Sequence, residues 1–208
     1  MSTIDKTTGH VPDTSTVALL FIDFINDLEF VDGEKLYPHA LEAAKKAAAL
    51  KQQAKDHNIP VIYVNDNYGR WQSNFEQIIQ HCLQKEMRGS SIVSYLEPDR
   101  EDYFVLKPQF SGFFFTPLEL LLEYLDVKTL IIAGVATNMC VQFTANDAYM
   151  RKYDLIIPED CSASNTNEDH NFAIRHLQDV LKADTTPQAE LDMPQIIEKA
   201  IAYYQSCK

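Results

Sequence analysis

The stretch TLIIAGVATNMCVQFTANDAYMRK, residues 129–152, decides how this 208-residue chain is built. Its first seven residues are almost wholly apolar without polar alternation, as in a strand covered on both faces of a parallel sheet. GVATN then breaks the run, and NMCVQFTANDAYMRK reads as a helix. Outward from it, four more runs repeat the pattern: VALLFIDF (17–24), PVIYVND (60–66), YFVLKP (103–108) and DLIIPED (154–160). Helical stretches alternate with them. YPHALEAAKKAAALKQQAKDHN (37–58) opens with a proline suited to a first turn, and TPLELLLEYL (116–125) sets Thr116, Pro117 and Glu119 as a capping box with proline at its first helical position. EDHNFAIRHLQDVLK (168–182) and MPQIIEKAIAYYQS (193–206) supply two more. Strands alternating with helices require right-handed crossovers, which predicts a doubly wound α/β fold: a mainly parallel sheet of five or six strands with helices on both faces. Five strands carry the pattern, and a sixth, if formed, falls at KADTT (182–186). Residues 1–16 read as a loose tail and 17–208 as one domain.

The formal charge of −12, from 30 acidic against 18 basic residues, disfavours nucleic acid and anionic membranes, both of which need a basic surplus. A small-molecule partner fits better. Cys82, Cys140, Cys161 and Cys207 lie far apart with no C-x-x-C pair, and the N-terminal residues lack a basic-then-apolar leader. Reduced thiols and a cytoplasmic location are expected. No apolar run reaches membrane-spanning length.

In a sheet of this kind, ligands bind beyond the carboxyl ends of the strands. Asp23 stands late in the first strand, Lys107 at the end of the third and Cys140 just past the fourth. An acid, an amine and a thiol therefore converge on one rim. Lys107 and the start of the helix carrying Cys140 would each favour a thiolate. Backbone N–H groups of the VATNMC turn, that of Cys140 included, suit a developing oxyanion.

Three segments, LLFIDFINDL (19–28), LKPQFSGFFFT (106–116) and AGVATNMCVQFTANDAYMRKYDLIIPEDCSAS (133–164), resemble the signatures of the isochorismatase-like cysteine hydrolases. The resemblance spans residues 17–164. It implies a Rossmann-like fold, an Asp23–Lys107–Cys140 triad, a cis Val135–Ala136 peptide with the Ala136 amide in the oxyanion hole, and a homodimer or homotetramer. Most such proteins hydrolyse a C–N bond in small amides, ureido compounds or lactams. True isochorismatases instead cleave a vinyl ether by proton donation from the aspartate, and Cys140 argues against that chemistry here. A non-catalytic binding protein of the same fold is a further alternative, opposed by retention of all three residues. Nucleotide binding lacks support, since AGVATN matches neither G-x-G-x-x-G nor the P-loop.

Nicotinamidase-like proteins resemble this chain but follow the second strand with an aspartate and histidines that hold a metal. Here VNDNYGRWQSNF (64–75) keeps Asp66, and no histidine follows until His81, so neither a metal nor any other cofactor is expected. His10, His39, His57, His81, His170 and His176 read as surface or helix residues. Asn67, Arg70 and Trp71 offer an amide, a guanidinium and an aromatic face to a substrate, and Phe113, from the cluster Phe110, Phe113, Phe114 and Phe115, an aromatic wall. Such walls suit a flat or cyclic substrate.

Overall fold

The computed structural model describes residues 15–67 and 74–206. Their elements run β1 (Val17–Ile22), α1 (Gly33–Asp56), β2 (Val61–Asp66), α2 (Phe75–Cys82), α3 (Ser90–Tyr95), β3 (Tyr103–Lys107), α4 (Leu118–Tyr124) and β4 (Thr129–Val135). They continue as a π-helical turn (Thr137–Val141), α5 (Gln142–Met150), β5 (Asp154–Ile156), β6 (Ser162–Ala163), α6 (Asn167–Asp179) and α7 (Met193–Ser206). Every strand pairing is parallel, in the order β3-β2-β1-β4-β5, with β6 beside the end of β4.

The absence of alternation in the strand sequences has a direct cause: both faces are covered. Leu19, Phe21, Tyr63, Ile131 and Ala133 point to one face and pack with Leu36, Ala40, Ala47 and Leu50 of α1, Ile92 and Val93 of α3 and Met193 of α7. Leu20, Ile22, Val64, Leu130 and Ile132 point to the other, against α4, α5 and α6 through Leu118, Ala145 and Leu177. Small residues on α1 let that long helix lie close to the sheet, where a larger side chain would overpack it.

Three local expectations are corrected. The sixth strand is Ser162–Ala163, and the KADTT segment makes only a single bridge, Asp184 to Ile156. The helix expected from Tyr37 begins at Gly33, so Pro38 lies inside it. Thr116 does accept from the Leu118 amide at 3.2 Å, but Glu119 pairs with Arg151 instead of closing a box. Of the expected tail, residues 1–14 lie outside the described residues, whereas Ser15 donates to the Leu125 carbonyl and Thr16 accepts from Lys128 and Thr129. Those two are anchored.

Register brings the candidate chemistry together. Ile22 lies level with Val64 and Gly134, and Asp66 level with Lys107. The carboxyl ends of β1, β2, β3 and β4 thus form one rim. Gly134 permits the close approach of β1 and β4 there: its φ is +153°, and an added Cβ would collide with the Ile22 carbonyl.

Candidate active site

Asp23 follows β1 with φ +54°, a left-handed conformation that aspartate tolerates better than most residues. This turn directs its carboxylate along the rim. Oδ1 accepts from the Asp66 amide at 2.7 Å, and Oδ2 lies 2.8 Å from Lys107 Nζ. Lys107 is wholly buried although β3 is an edge strand, and Asp23 is 5% exposed. The ammonium also reaches Cys140 Sγ at 3.5 Å and stands 4.0 Å from Asp66 Oδ2. The structure therefore brings Asp23, Lys107 and Cys140 into mutual contact. The Val135–Ala136 peptide just before the cysteine turn is cis.

The electrostatics correct one expectation. Burial pushes the Cys140 thiol well above its ordinary range, and the Asp23 carboxylate raises it further, against the smaller opposing effect of Lys107. Burial likewise raises Asp23, with Lys107, Cys140 and the Asp66 amide pulling the other way. Burial alone would lower Lys107, but Asp23, Cys140 and Asp66 together hold it above its ordinary value. Lys107 is thus the cation shared by the Asp23 and Asp66 carboxylates and the Cys140 sulfur. The Cys140 side chain is hydrogen-bonded to Asp23 and Lys107, and its burial favours the neutral thiol over the thiolate.

Cys140 does not sit in an α-helical first turn. It occupies the π-helical turn, in which the Val141 amide reaches back five residues to the Ala136 carbonyl at 3.3 Å. Such turns recur at functional sites.

The remaining expected residues are spread more widely. Asn67 is 8% exposed and extends the β2–β3 ladder through its amide to the Lys107 carbonyl. Arg70 and Trp71 lie outside the described residues. Phe113 is packed in the core instead of facing a pocket, with its ring 6.1 Å from Tyr153 and under the Arg151 guanidinium at 4.8 Å. Of the Phe110, Phe113, Phe114 and Phe115 cluster, the half-exposed ring nearest in sequence to Lys107 is Phe110, paired with Phe143 one turn after Cys140 at 5.4 Å. Asn65 was not singled out by sequence, yet its buried amide donates to the Ile25 carbonyl and steadies the loop after Asp23. His170, expected as a surface or helix residue, lies on α6 and places Nδ1 2.9 Å from Thr137 Oγ1.

His81 is engaged with Asp27 at 3.0 Å, and among the described residues no three His, Cys, Asp or Glu side chains converge as a metal site. Nor, among those residues, is any helix long and apolar enough to cross a membrane.

With this geometry established, comparison with known proteins defines the class. The isochorismatase domain model matches residues 17–188, and the chain belongs to that family of hydrolases. It is 43% identical over 182 residues to YaaI, an uncharacterized isochorismatase family protein of Bacillus subtilis (strain 168), covering 88% of this chain and 97% of that one. Ureidoacrylate amidohydrolase RutB of Methylorubrum extorquens (strain ATCC 14718 / DSM 1338 / JCM 2805 / NCIMB 9133 / AM1) is 37% identical over 86 residues, 41% of this chain and 35% of that protein. The crystal structure of N-carbamoylsarcosine amidase from Thermoplasma acidophilum shares the fold at a TM-score of 0.66 and 24% identity, covering 85% of this chain and 99% of that chain.

Proposed function

We propose that this chain hydrolyses a C–N bond in a small amide, ureido compound or lactam through a thioester on Cys140. The contact of Asp23 and Lys107 with the Cys140 sulfur carries the reading. The name of RutB, an amidohydrolase, supports the bond type.

Asp23 takes the thiol proton as the sulfur attacks the carbonyl carbon, forming the S–C bond and an oxyanion. Lys107 stays charged and balances the single negative charge as it moves from carboxylate to sulfur to substrate oxygen. The backbone amides of Ala136 and Cys140 serve as oxyanion donors. Collapse breaks the C–N bond while Asp23 returns its proton to the leaving nitrogen. Water, deprotonated by Asp23, then cleaves the thioester, and the proton goes back to sulfur as the acid leaves. Asn67, Arg70 and Trp71 contact the substrate. Phe110 is a better candidate than Phe113 for an aromatic wall, because its ring is half-exposed.

The chain acts as a homodimer or homotetramer, a reading supported by the exposure of Phe114, Phe115 and Leu120, and sedimentation of the purified protein tests it. The activity is tested by an ammonia-release screen over small amides, carbamoyl compounds, ureido acids and lactams, with Cys140→Ala as the blank. Release by the wild type alone supports the reading. Equal hydrolysis by Cys140→Ala contradicts nucleophilic catalysis.

A further inference from the structure

The turn carrying Cys140 is held from two directions. Lys107 and Asp23 approach from the side of β1, and a second set of contacts approaches from β6 and α6, on the other side of β4. There Ser164 Oγ accepts from the Asn138 amide at 3.3 Å and donates to Asn138 Oδ1 at 2.9 Å. His170, on the first turns of α6, places Nδ1 2.9 Å from Thr137 Oγ1. Ser164 is 1% exposed and Thr137 is fully buried, so each of these bonds has one end shielded from competing water.

These contacts fall on the first two residues of the π-helical turn, Thr137 and Asn138. A π turn holds one residue more than an α turn, and one residue of helical register corresponds to about 100° of rotation about the axis. If Thr137–Val141 relaxed into α geometry, the Cys140 side chain would swing away from Lys107. The sulfur's direction thus depends on whatever retains the extra residue. Backbone bonds from Val141 to the Ala136 carbonyl, long at 3.3 Å, and from Gln142 to the Thr137 carbonyl close the π turn, and the side-chain contacts on its first two residues add to them.

We propose that Ser164 and His170 are positioning residues that keep the nucleophile's turn in its π register and so aim Cys140 at Lys107 and Asp23. The proposal rests on the cysteine-hydrolase reading, and its test includes a readout that needs no substrate.

Ser164→Ala, His170→Ala and His170→Asn are compared with wild type, the last because an asparagine amide can replace Nδ1 against Thr137. Thermal melts, kcat and KM on a substrate from the amide screen, and the pH profile of Cys140 alkylation by iodoacetamide are measured. Both alanine variants are expected to lose roughly 10²-fold in kcat, the scale of a small misplacement of reacting groups, with KM changed by less than about threefold. Their alkylation profiles should move by about one pH unit toward that of an ordinary thiol, as the sulfur leaves its buried place beside Asp23. His170→Asn should recover most of what His170→Ala loses. Folded alanine variants that keep both kcat and the wild-type alkylation profile would overturn the proposal and leave the hydrolase reading intact. Losses that merely follow the fall in Tm, with no recovery in His170→Asn, would overturn it as well. If no amide is hydrolysed, an alkylation profile that shifts in the alanine variants still supports the brace, and an unshifted one overturns it.

Discussion

Replacing Lys107 with methionine removes the ammonium and keeps most of the side chain's volume. In the native site that ammonium lies 2.8 Å from Asp23 Oδ2, with the lysine side chain fully buried and that of Asp23 7% exposed. Coulomb's law at an effective dielectric of about 20 gives an attraction near 6 kcal/mol at that separation, before desolvation is subtracted. What the variant loses is the cost of leaving one buried charge unpaired, about 3–5 kcal/mol. For a chain of this size, that corresponds to roughly 10 °C in Tm. The loss should depend on pH. Without Lys107, burial raises the Asp23 carboxyl unopposed by its main counter-charge, so the folded variant keeps a proton that the unfolded chain releases above its ordinary value of 3.8. The folded state then binds more protons than the unfolded state, and the variant's stability falls as pH rises through that window and recovers as pH is lowered. The double variant Lys107→Met/Asp23→Leu removes both charges and should regain most of the stability while remaining inactive. Urea denaturation at several pH values measures all of this. A single variant as stable as wild type at neutral pH, or a double variant less stable than the single one, would refute the buried pair as described.

Asp23→Asn separates proton transfer from thiol ionisation. Hydrolysis should fall by about 10²–10⁴-fold, yet Cys140 should ionise more easily, because the carboxylate that helps hold its thiol up is gone. Alkylation rates followed against pH would show the limb moving downward, and a limb that moves upward would contradict the charge assignment. In the wild type the same assay should show slow alkylation at neutral pH, rising only above the ordinary thiol value of 9.0. Gly134→Ala should destabilise by more than about 1 kcal/mol and reduce activity, since the added methyl meets the Ile22 carbonyl beside Asp23; chemical denaturation and turnover measure both effects.

The architecture was legible because its signal is local and repeated. Runs such as VALLFI and TLIIAGV avoid polar residues because helices cover both faces, and the stretch 193–206, expected as the last helix, is α7. β6 was misplaced because two residues carry no periodic pattern, and its pairing comes from proximity to the end of β4. At the site, sequence located the three chemical groups but not their charge state. The expected thiolate followed from a nearby amine and a helix start, both readable along the chain. What opposes it, burial and the charge of Asp23, arises from residues more than a hundred positions apart in sequence. The π turn was equally hidden, since a hydrogen-bond register leaves no mark in residue types. Phe113 and Phe110 differ by three positions in one aromatic cluster, and only the packing of Phe113 on Tyr153 and Arg151 distinguishes core ring from exposed ring. The contact of His170 with Thr137 spans 33 residues and has no local signature.

The central claim is that Cys140 becomes covalently acylated during turnover. Acid-quenching the enzyme while it processes a substrate from the amide screen, followed by peptide mass spectrometry, tests this directly. A substrate-derived acyl mass on the peptide containing Cys140 is expected, appearing and decaying at rates compatible with kcat. Turnover with no such adduct, together with an undiminished rate in Cys140→Ala, would contradict it.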